Sequence, residues 1–238
     1  MKILITNDDG ISAPQLPALI RFCQKLGQVT VVAPKGEQSA KSHAIEIREP
    51  IGAYPVELVD GAACWAMDST PADCVRFALF YLKENYDLVI SGINRGYNLG
   101  QDIPYSGTFA AAEEAAVRGV PALAISSATR YYDQAAEHLE EIFRFIQEKD
   151  LFAKCSLYNI NIPSNPKGFR FARQGGASWQ VDYVPMGNGL YYAGGNPMKA
   201  ESEDETLDTV AARRGYITVT PMVTERTDRA VYGLLAKG

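Results

Sequence analysis

The sequence has little histidine and little cysteine, and this restricts the metal chemistry that it can support. Two of its 238 residues are histidine, His43 and His138, and neither has a second histidine at helical spacing. A histidine-based zinc site is therefore not predicted. The four cysteines, which form no C-x-x-C pair, are Cys23, Cys64, Cys74 and Cys155. With no secretory segment in front of them, they predict reduced core thiols in a cytoplasmic protein.

Excess positive charge is also missing. The chain carries 23 Lys and Arg against 28 Asp and Glu, which gives a net charge of −5 and a pI of about 5.2. No nucleic acid is expected as a partner, because its phosphate backbone requires a basic surface. Apolar runs such as Leu88 to Ile90 are too short to span a bilayer, so no membrane partner is expected. Any phosphate group must be bound by a local site.

Strand-like and helix-like segments alternate from the first residues onward, which predicts an α/β fold with a mostly parallel sheet covered by helices. We predict a single domain over 1–238, with its core over about 1–150 and a less regular, β-rich region over about 151–238. The predicted strands are 2–6, 28–33, 87–91, 121–126, 157–162, 169–173 and 216–220. Helices are predicted after Pro14, Thr70 and Thr108 and over 132–148 and 228–235.

One interval departs from this alternation. Between residues 44 and 67 the apolar residues alternate in three short pieces, 45–48, 56–59 and 63–66, the last two separated by Asp60-Gly61. An Asp-Gly pair between alternating segments is typical of a hairpin turn. The interval therefore predicts a small antiparallel insertion.

Asp8 and Asp9 stand where the first strand ends, in the sequence Asn7-Asp8-Asp9-Gly10. Ligands of open α/β sheets bind beyond the carboxyl ends of the strands, and two adjacent carboxylates repel unless a cation holds them. The alternative is an ordinary Asp-Gly turn with a solvated aspartate. From these residues alone the two interpretations are about equally good.

Two further loops follow strands that are predicted to be parallel, and each carries an oxygen donor. Ser39 lies in the polar loop after the second strand, and Asn94 lies in a glycine-rich loop that opens at Gly92. With Asp8 and Asp9 they offer hard oxygen donors, which suit Mg²⁺ or Mn²⁺ and do not suit zinc or copper. Asn94 taken alone is more often a residue that stabilises its own turn.

Phosphate recognition requires N–H donors without bulk, and Ser106-Gly107-Thr108 provides them just before an alanine-rich helix. Serine and threonine are also ordinary helix caps, so this signal is weak by itself. The glycine-rich loop matches neither the G-K-[ST] ending of a Walker motif nor G-x-G-x-x-G. Ser42 and His43 lie beside Lys41 in one polar loop; they can bind a phosphate oxygen and protonate a leaving group, or simply form a flexible connection.

Several short motifs occur in a specific order along most of the chain: 3–10 (ILITNDDG), 32–34 leading to Ser39, 70–75 (TPADCV), 91–100 (SGINRGYNLG), 105–108 (YSGT), 119–122 (GVPA) and 215–221 (GYITVTP). In this combination the chain resembles the survival protein E (SurE) family of metal-dependent nucleoside monophosphate phosphatases. The resemblance implies a Rossmann-like core and hydrolysis of nucleoside 5′- and 3′-monophosphates, extended in some members to short polyphosphate. It also implies a homodimer or homotetramer with contacts in the C-terminal part.

The resemblance also implies the roles of individual residues. One divalent ion per subunit, Mg²⁺ or Mn²⁺, would be held by Asp8, Asp9, Ser39 and Asn94. A phosphate pocket would be formed by the Asn98 region together with Ser106, Gly107 and Thr108. Our hypothesis is attack by a metal-activated water, with one of the two aspartates, Asp8 before Asp9, as the general base. A covalent aspartyl-phosphate route is less favoured, because the D-x-D spacing is missing.

Two other functions use the same residue types. A nucleotide-binding module without turnover would hold a metal-nucleotide as a sensing signal, and a sugar-nucleotide transferase would use paired acidic residues to hold Mn²⁺. The chain also departs from the family pattern at Ser69 and Ala40, where glycine is common, and at residues 35–38. We expect these changes to alter substrate preference before activity. Aromatic residues that can stack on a base, fill a small core or form a subunit contact are Trp179, Tyr183, Tyr191 and Tyr192.

Overall fold

The protein is described by a computed structural model over residues 1–177, 179–197 and 202–236. Nine strands form one sheet in the order β3-β4-β2-β1-β5-β6-β7-β11-β8, and β9 and β10 form a separate hairpin. The strands are β1 Lys2–Thr6, β2 Gln28–Pro34, β3 Ala53–Val56, β4 Ala63–Met67, β5 Leu88–Arg95, β6 Ala122–Ser127, β7 Leu157–Ile162, β8 Phe169–Phe171, β9 Trp179–Gly187, β10 Leu190–Pro197 and β11 Ile217–Pro221.

Six α-helices accompany the strands: α1 Leu16–Gln24, α2 Pro71–Phe77, α3 Gly107–Val117, α4 Leu139–Glu148, α5 Asp208–Arg213 and α6 Arg229–Leu235. A π-helical turn, Ala78–Leu82, extends α2, and a 3₁₀ segment, Thr129–His138, precedes α4. The predicted single helix over 132–148 is therefore two differently wound pieces. Among the described residues, none of the helices is long and apolar enough to cross a membrane.

The core lies on both faces of the sheet. Along β1, Ile3 and Ile5 join the apolar cluster that includes α1 and α4, whereas Leu4 joins the cluster that includes α2 and α3. Successive side chains of a strand point to opposite faces, so helices cover both. The pairs from β4 through β2, β1, β5 and β6 to β7 are parallel, and β3 and β11 pair antiparallel with β4 and β7. The predicted fold class is confirmed.

Several predicted elements are wrong in detail. Residues 45–48 form no strand, and the predicted strand 56–59 lies earlier, as β3. β3 and β4 do form an antiparallel pair, but β4 also pairs in parallel with β2 and so belongs to the main sheet. The C-terminal region is β-rich as predicted, and part of it forms the β9–β10 hairpin, which is separate from the main sheet. Strands β7, β8 and β11 belong to the main sheet.

Candidate active site

The turn after β1 is fixed by the side chain of Asn7. Its Nδ2 donates to the Gly10 carbonyl at 2.9 Å, and its Oδ1 accepts from the Gly10 N–H at 3.0 Å. Gly10 has a φ of +96°, and an added Cβ would lie 3.1 Å from the carbonyl carbon of Gly36. Only glycine fits this left-handed position easily. The buried asparagine therefore holds the two aspartates in one fixed turn, a role that the sequence pattern did not reveal.

Asp8 is buried against the start of α3. Its Oδ1 accepts a hydrogen bond from the Thr108 hydroxyl at 2.5 Å. A Cβ on Gly107 would lie 3.0 Å from the Asp8 Cβ, so the helix backbone approaches this closely because residue 107 is glycine. Burial and, less strongly, the charge of Asp9 raise the pKa of Asp8, the Thr108 hydroxyl and N–H lower it, and the net value is about 6. The pKa of the Asp8 carboxyl group is therefore close to neutral pH.

Asp9 and Ser39 line a neighbouring cavity of about 370 Å³. Asp9 Oδ2 accepts from the Arg95 N–H at 3.2 Å; burial raises the pKa of Asp9, and this N–H opposes the rise. The Ser39 hydroxyl donates to Glu37 Oε1 at 2.6 Å, which leaves the lone pairs of its oxygen for another contact. Next to Ser39, the Gln38 N–H donates to the Asp8 carbonyl at 2.7 Å. The Ser39 loop is thereby tied to the aspartate turn.

Asn94 lies inside β5 and not in a loop as predicted, because that strand continues to Arg95. Its Nδ2 donates to the Gly96 carbonyl at 2.9 Å, which uses the donor end of the amide and not its oxygen. The strand is tightly packed before this point, since a Cβ on Gly92 would lie 2.3 Å from the Ile125 carbonyl oxygen. Asn94 is adjacent to Arg95, whose N–H reaches Asp9. The structure thus brings β5 to the aspartate turn.

Asn98 is buried and held by side chains from two other strands. The Asn161 side chain bonds to both backbone groups of Asn98: its Oδ1 accepts from the N–H at 2.8 Å, and its Nδ2 donates to the carbonyl at 3.0 Å. Asn159 donates to the same carbonyl at 2.8 Å, and Asn98 Nδ2 donates to the Ser126 hydroxyl at 2.8 Å. Sequence reasoning missed Asn159 and Asn161, although polar residues at alternate positions of a buried strand were a usable signal.

Gly100 is held by residues that lie even further along the chain. Its N–H donates to Asp208 Oδ2 at 3.0 Å, and its carbonyl accepts from Gln174 Nε2 at 2.7 Å. Gly100 has a φ of +52°, and a Cβ there would lie 2.1 Å from the Gly176 carbonyl oxygen. Asp208 also accepts from the Gly175 N–H at 2.8 Å. The glycine-rich segment 96–100 is therefore anchored by the C-terminal part of the protein.

The start of α3 has the geometry expected of a helix cap. The Ser106 hydroxyl accepts from the Phe109 N–H at 3.0 Å. The Thr108 hydroxyl donates a hydrogen bond to Asp8, and it thereby orients the Asp8 carboxylate. Negative groups are stabilised at helix N-termini by the N–H groups there. The same end of α3 that receives Asp8 is thus the predicted place for a phosphate group.

Ser42 and His43 follow in the Ser39 loop and line a different cavity from Ser39. The Ser42 hydroxyl donates to the Pro104 carbonyl at 2.6 Å. His43 is held between two carboxylates of α3: Nδ1 contacts Glu113 Oε2 and Nε2 contacts Glu114 Oε2, both at 3.0 Å. Hydrogen bonds to Glu113 and Glu114 raise the pKa of His43 to about 9 despite its burial. Protonation of a leaving group by His43 would first require one of these bonds to break.

The free energy of unfolding should depend on pH through His43. Its folded pKa, about 9, lies above the ordinary value of 6.5 for histidine, so its contribution to the free energy of unfolding is fully present below about pH 6.5 and is lost as the pH rises through about 9. We expect His43→Gln to be clearly less stable than the native protein near pH 6.5 and nearly equal to it near pH 10, measured by urea unfolding. A stability difference that stays constant over this range would contradict the prediction.

With this geometry established, we compared the chain with known proteins. The family model described as "Survival protein SurE" matches residues 3–181. The chain belongs to the SurE family. A protein of Desulforudis audaxviator named 5′-nucleotidase SurE is 39% identical over 251 residues, covering 100% of this chain and 97% of that protein. The SurE 5′-nucleotidase of Thermosipho melanesiensis is 40% identical over 237 residues, covering 93% and 91%.

The fold agrees with that of a solved family member. The crystal structure of the SurE protein from Aquifex aeolicus superimposes with a TM-score of 0.82 at 30% identity, covering 100% of this chain and 99% of that one. Ala40 and Ser69 are two positions at which the resemblance implies a departure from the family pattern. Ala40 has a φ of +58°, and an alanine is strained in this left-handed region. Ser69 donates its hydroxyl to Asp73 Oδ2 at 2.6 Å at the start of α2.

The donor set at the SurE aspartate turn fits a hard divalent cation. It combines two carboxylates, a hydroxyl and an amide oxygen, from Asp8, Asp9, Ser39 and Asn94, and such oxygens are the ligands that Mg²⁺ and Mn²⁺ prefer. Over 1–177, 179–197 and 202–236, no three His, Cys, Asp or Glu side chains converge as a metal site. The predicted set of Asp8, Asp9, Ser39 and Asn94 contains only two such side chains, because its other two donors are a hydroxyl and an amide oxygen.

Proposed function

We propose that this protein is a divalent-metal-dependent 5′-nucleotidase, which hydrolyses nucleoside 5′-monophosphates to nucleoside and phosphate. The observation that carries the proposal is the buried Asp8 carboxylate, hydrogen-bonded to Thr108 at the N-terminus of α3. The names of the relatives, 5′-nucleotidase SurE, support the same activity. Nucleoside 3′-monophosphates and short polyphosphate are further candidate substrates, because the same phosphate site would accept them.

One Mg²⁺ or Mn²⁺ per subunit would be held by Asp8, Asp9, Ser39 and Asn94. When bound, the cation would polarise a phosphoryl oxygen and lower the pKa of a water molecule. The arrangement of the chain supports this set: the Gln38 N–H ties the Ser39 loop to Asp8, and the Arg95 N–H ties β5 to Asp9. Two adjacent carboxylates that are both partly desolvated gain from a nearby positive charge.

In the proposed reaction Asp8 takes the proton of the attacking water. A general base must lie within hydrogen-bond reach of the proton that it takes, and Asp8 is fixed at the start of α3, where the phosphate group is proposed to bind. Thr108 holds the carboxylate in place through its hydroxyl. Asp9, which accepts a backbone N–H and faces the cavity with Ser39, is better suited to binding than to proton transfer.

The phosphate group is proposed to lie between the start of α3 and the Asn98 segment. Backbone N–H groups around Ser106, Gly107 and Thr108 would stabilise the non-bridging oxygens as negative charge develops. Asn98 is buried and is held in place by hydrogen bonds with Asn161 and Ser126. Rigid donors stabilise a transition state without the cost of reorganisation.

The proposal is tested by phosphate release from a panel of nucleoside 5′- and 3′-monophosphates and polyphosphate, after chelation and after addition of Mn²⁺ or Mg²⁺. We expect the chelated protein to release no phosphate from AMP above background and added cation to restore release. Hydrolysis that persists in the chelated protein would refute the metal role. Saturable nucleotide binding without phosphate release would instead indicate a sensing module, and a requirement for a diphosphate donor would indicate a transferase.

We further propose that the protein is a homodimer or homotetramer, which sedimentation equilibrium would measure. The β9–β10 hairpin carries large apolar side chains that are exposed in the single chain, and these are Trp179, Val181, Tyr183, Val184, Met186, Leu190, Tyr191 and Tyr192. A two-stranded hairpin is marginally stable without further packing, and extended apolar patches usually mark interaction surfaces. These exposed aromatic residues support a subunit contact more than a small core.

A cytoplasmic location is proposed from the cysteines. All four are free thiols, and Cys23, Cys64 and Cys74 are buried. Free thiols persist where the surroundings are reducing.

A further inference from the structure

A second cavity, which we call the α3 cavity, lies beside the outer face of α3. Its volume is about 470 Å³, which is within the range of roughly 300–1,000 Å³ that is usual for small-molecule sites. Its walls come from the Ser39 loop at residues 42 and 43, from the segment 103–106, from α3 and from residues 222–226 after β11. Of its lining, the proposed hydrolysis uses Ser106 at the start of α3.

Two elements connect the α3 cavity with the proposed phosphate site. In the Ser39 loop, Ser39 lines the cavity beside Asp9, whereas His43 lines the α3 cavity. At the start of α3, Thr108 contacts Asp8, while Ser106 and Phe109 line the α3 cavity. A molecule whose phosphate lies at this helix terminus can therefore extend into the α3 cavity.

The lining of the α3 cavity combines apolar walls with balanced charge. Apolar surface comes from Ile103, Pro104, Phe109, Met222 and Val223, and the charged groups are two cations and two carboxylates: His43, Arg226, Glu113 and Glu225. Arg226 Nη2 lies 3.2 Å from Glu113 Oε2. Glu114, Arg76 and Arg118 form the next layer behind His43. Such a site suits an uncharged group with hydrogen-bonding edges and an apolar face.

We propose that the α3 cavity binds the nucleoside part of the substrate, a proposal that rests on the proposed nucleotidase function. Ribose hydroxyls and base edges supply donors and acceptors for Arg226, Gln174 and the carboxylates of the wall, and the base covers the apolar surface of Phe109 and Pro104. The phosphate group of the same molecule occupies the start of α3. The α3 cavity then determines which phosphate monoesters are preferred.

Charge favours a nucleoside over a polyphosphate chain as the occupant. Additional phosphate groups would bring several negative charges beside the carboxylates of Glu113 and Glu225. The two cations of the lining are already paired with carboxylates, since Arg226 pairs with Glu113 and His43 lies between Glu113 and Glu114. An uncharged nucleoside meets no such repulsion. Polyphosphate hydrolysis, where it occurs, should be insensitive to the filling of this space.

The test fills the α3 cavity from its exposed side. Val223 is 76% exposed, so Val223→Trp should fold normally, and the indole would occupy the space. Val117→Trp, at the end of the same helix and 49% exposed, is the matched control because Val117 does not line the cavity. The measurement is kcat/KM for AMP divided by kcat/KM for ethyl phosphate, a monoester without a nucleoside. Adenosine binding is measured in parallel by calorimetry.

We expect Val223→Trp to lower the AMP to ethyl phosphate ratio by about tenfold or more and to weaken adenosine binding, with Val117→Trp unchanged. Arg226→Ala, at a side chain that is 79% exposed, should lower the ratio in the same direction if Val223→Trp does not fold. A ratio that Val223→Trp and Arg226→Ala both leave unchanged would overturn the proposal. If the native protein hydrolyses no nucleotide, the proposed nucleotidase function is wrong, and adenosine binding then tests the α3 cavity by itself. Adenosine binding that Val223→Trp weakens would support the α3 cavity as a nucleoside site. The absence of adenosine binding would overturn that proposal.

Discussion

Replacing Asp8 by asparagine is expected to lower kcat for AMP hydrolysis by about 1,000-fold or more. A general base contributes roughly 10²–10⁴ to a rate, and Asp8 would also lose one charged contact to the cation. The amide has nearly the shape of the carboxylate, so the Thr108 hydroxyl and the α3 backbone keep their positions. The effect should therefore appear in kcat of steady-state phosphate release, with a smaller change in KM.

The same variant should not be less stable than the native protein. Burial raises the pKa of Asp8 from 3.8 to about 6, so the charged carboxylate lowers the free energy of unfolding at neutral pH and its removal raises it. Thermal unfolding without added cation measures this. Asp60→Asn, at an exposed turn next to Gly61, is the control. It should alter neither kcat for AMP hydrolysis nor the free energy of unfolding. A large loss of nucleotide affinity with kcat intact would contradict the assignment of Asp8 as base.

Asp208→Ala is expected to lower the free energy of unfolding by about 2–4 kcal/mol and to raise KM for AMP. The carboxylate is fully buried and accepts from the N–H groups of Gly100, Gly175 and Thr209 at 3.0, 2.8 and 2.7 Å. Each buried N–H left without a partner costs about 1–3 kcal/mol. Burial raises the pKa of Asp208, which offsets part of the loss because removing the charge also removes its desolvation cost.

The matched control is Asp204→Ala, four residues earlier. Asp204 pairs with Arg173 at 2.9 Å on the surface, and such exposed ion pairs contribute little to stability. Urea unfolding gives the stability difference, and initial rates of phosphate release give KM. If Asp208→Ala and Asp204→Ala had equal effects on both quantities, the carboxylate of Asp208 would not be the anchor of the Gly100 segment.

The parts of the site that local sequence could predict are those that lie within one motif. Asp8 and Asp9 stand at the end of a buried strand, and Ser106 and Thr108 at the start of a helix; the structure joins Asp8 to Thr108. The two motifs are 100 residues apart. Each could be predicted separately, because strand ends and helix starts have short-range sequence patterns. The binding of a cation there remains a prediction.

The supporting residues were not predictable in the same way. Asn161 reaches Asn98 across 63 positions, and Asp208 reaches Gly100 across 108. A buried asparagine or aspartate looks like any loop or cap residue until its partner is known. Strand pairing was missed for a related reason: β4 has the alternating pattern of a hairpin, and that pattern does not reveal that its other edge pairs with β2.

The anchoring of Gly100 by Gln174 and Asp208 has a consequence for how the protein is made. A ribosome adds residues in order, and the first domain segments to emerge can begin to fold during synthesis. The glycine-rich segment 96–100 emerges early, but Asp208 emerges more than a hundred residues later and β11, which pairs with β7, later still. A nascent chain therefore carries Asp8 and Thr108 before it carries the groups that fix the opposite wall. The candidate site is therefore complete only after residue 208 has left the ribosome.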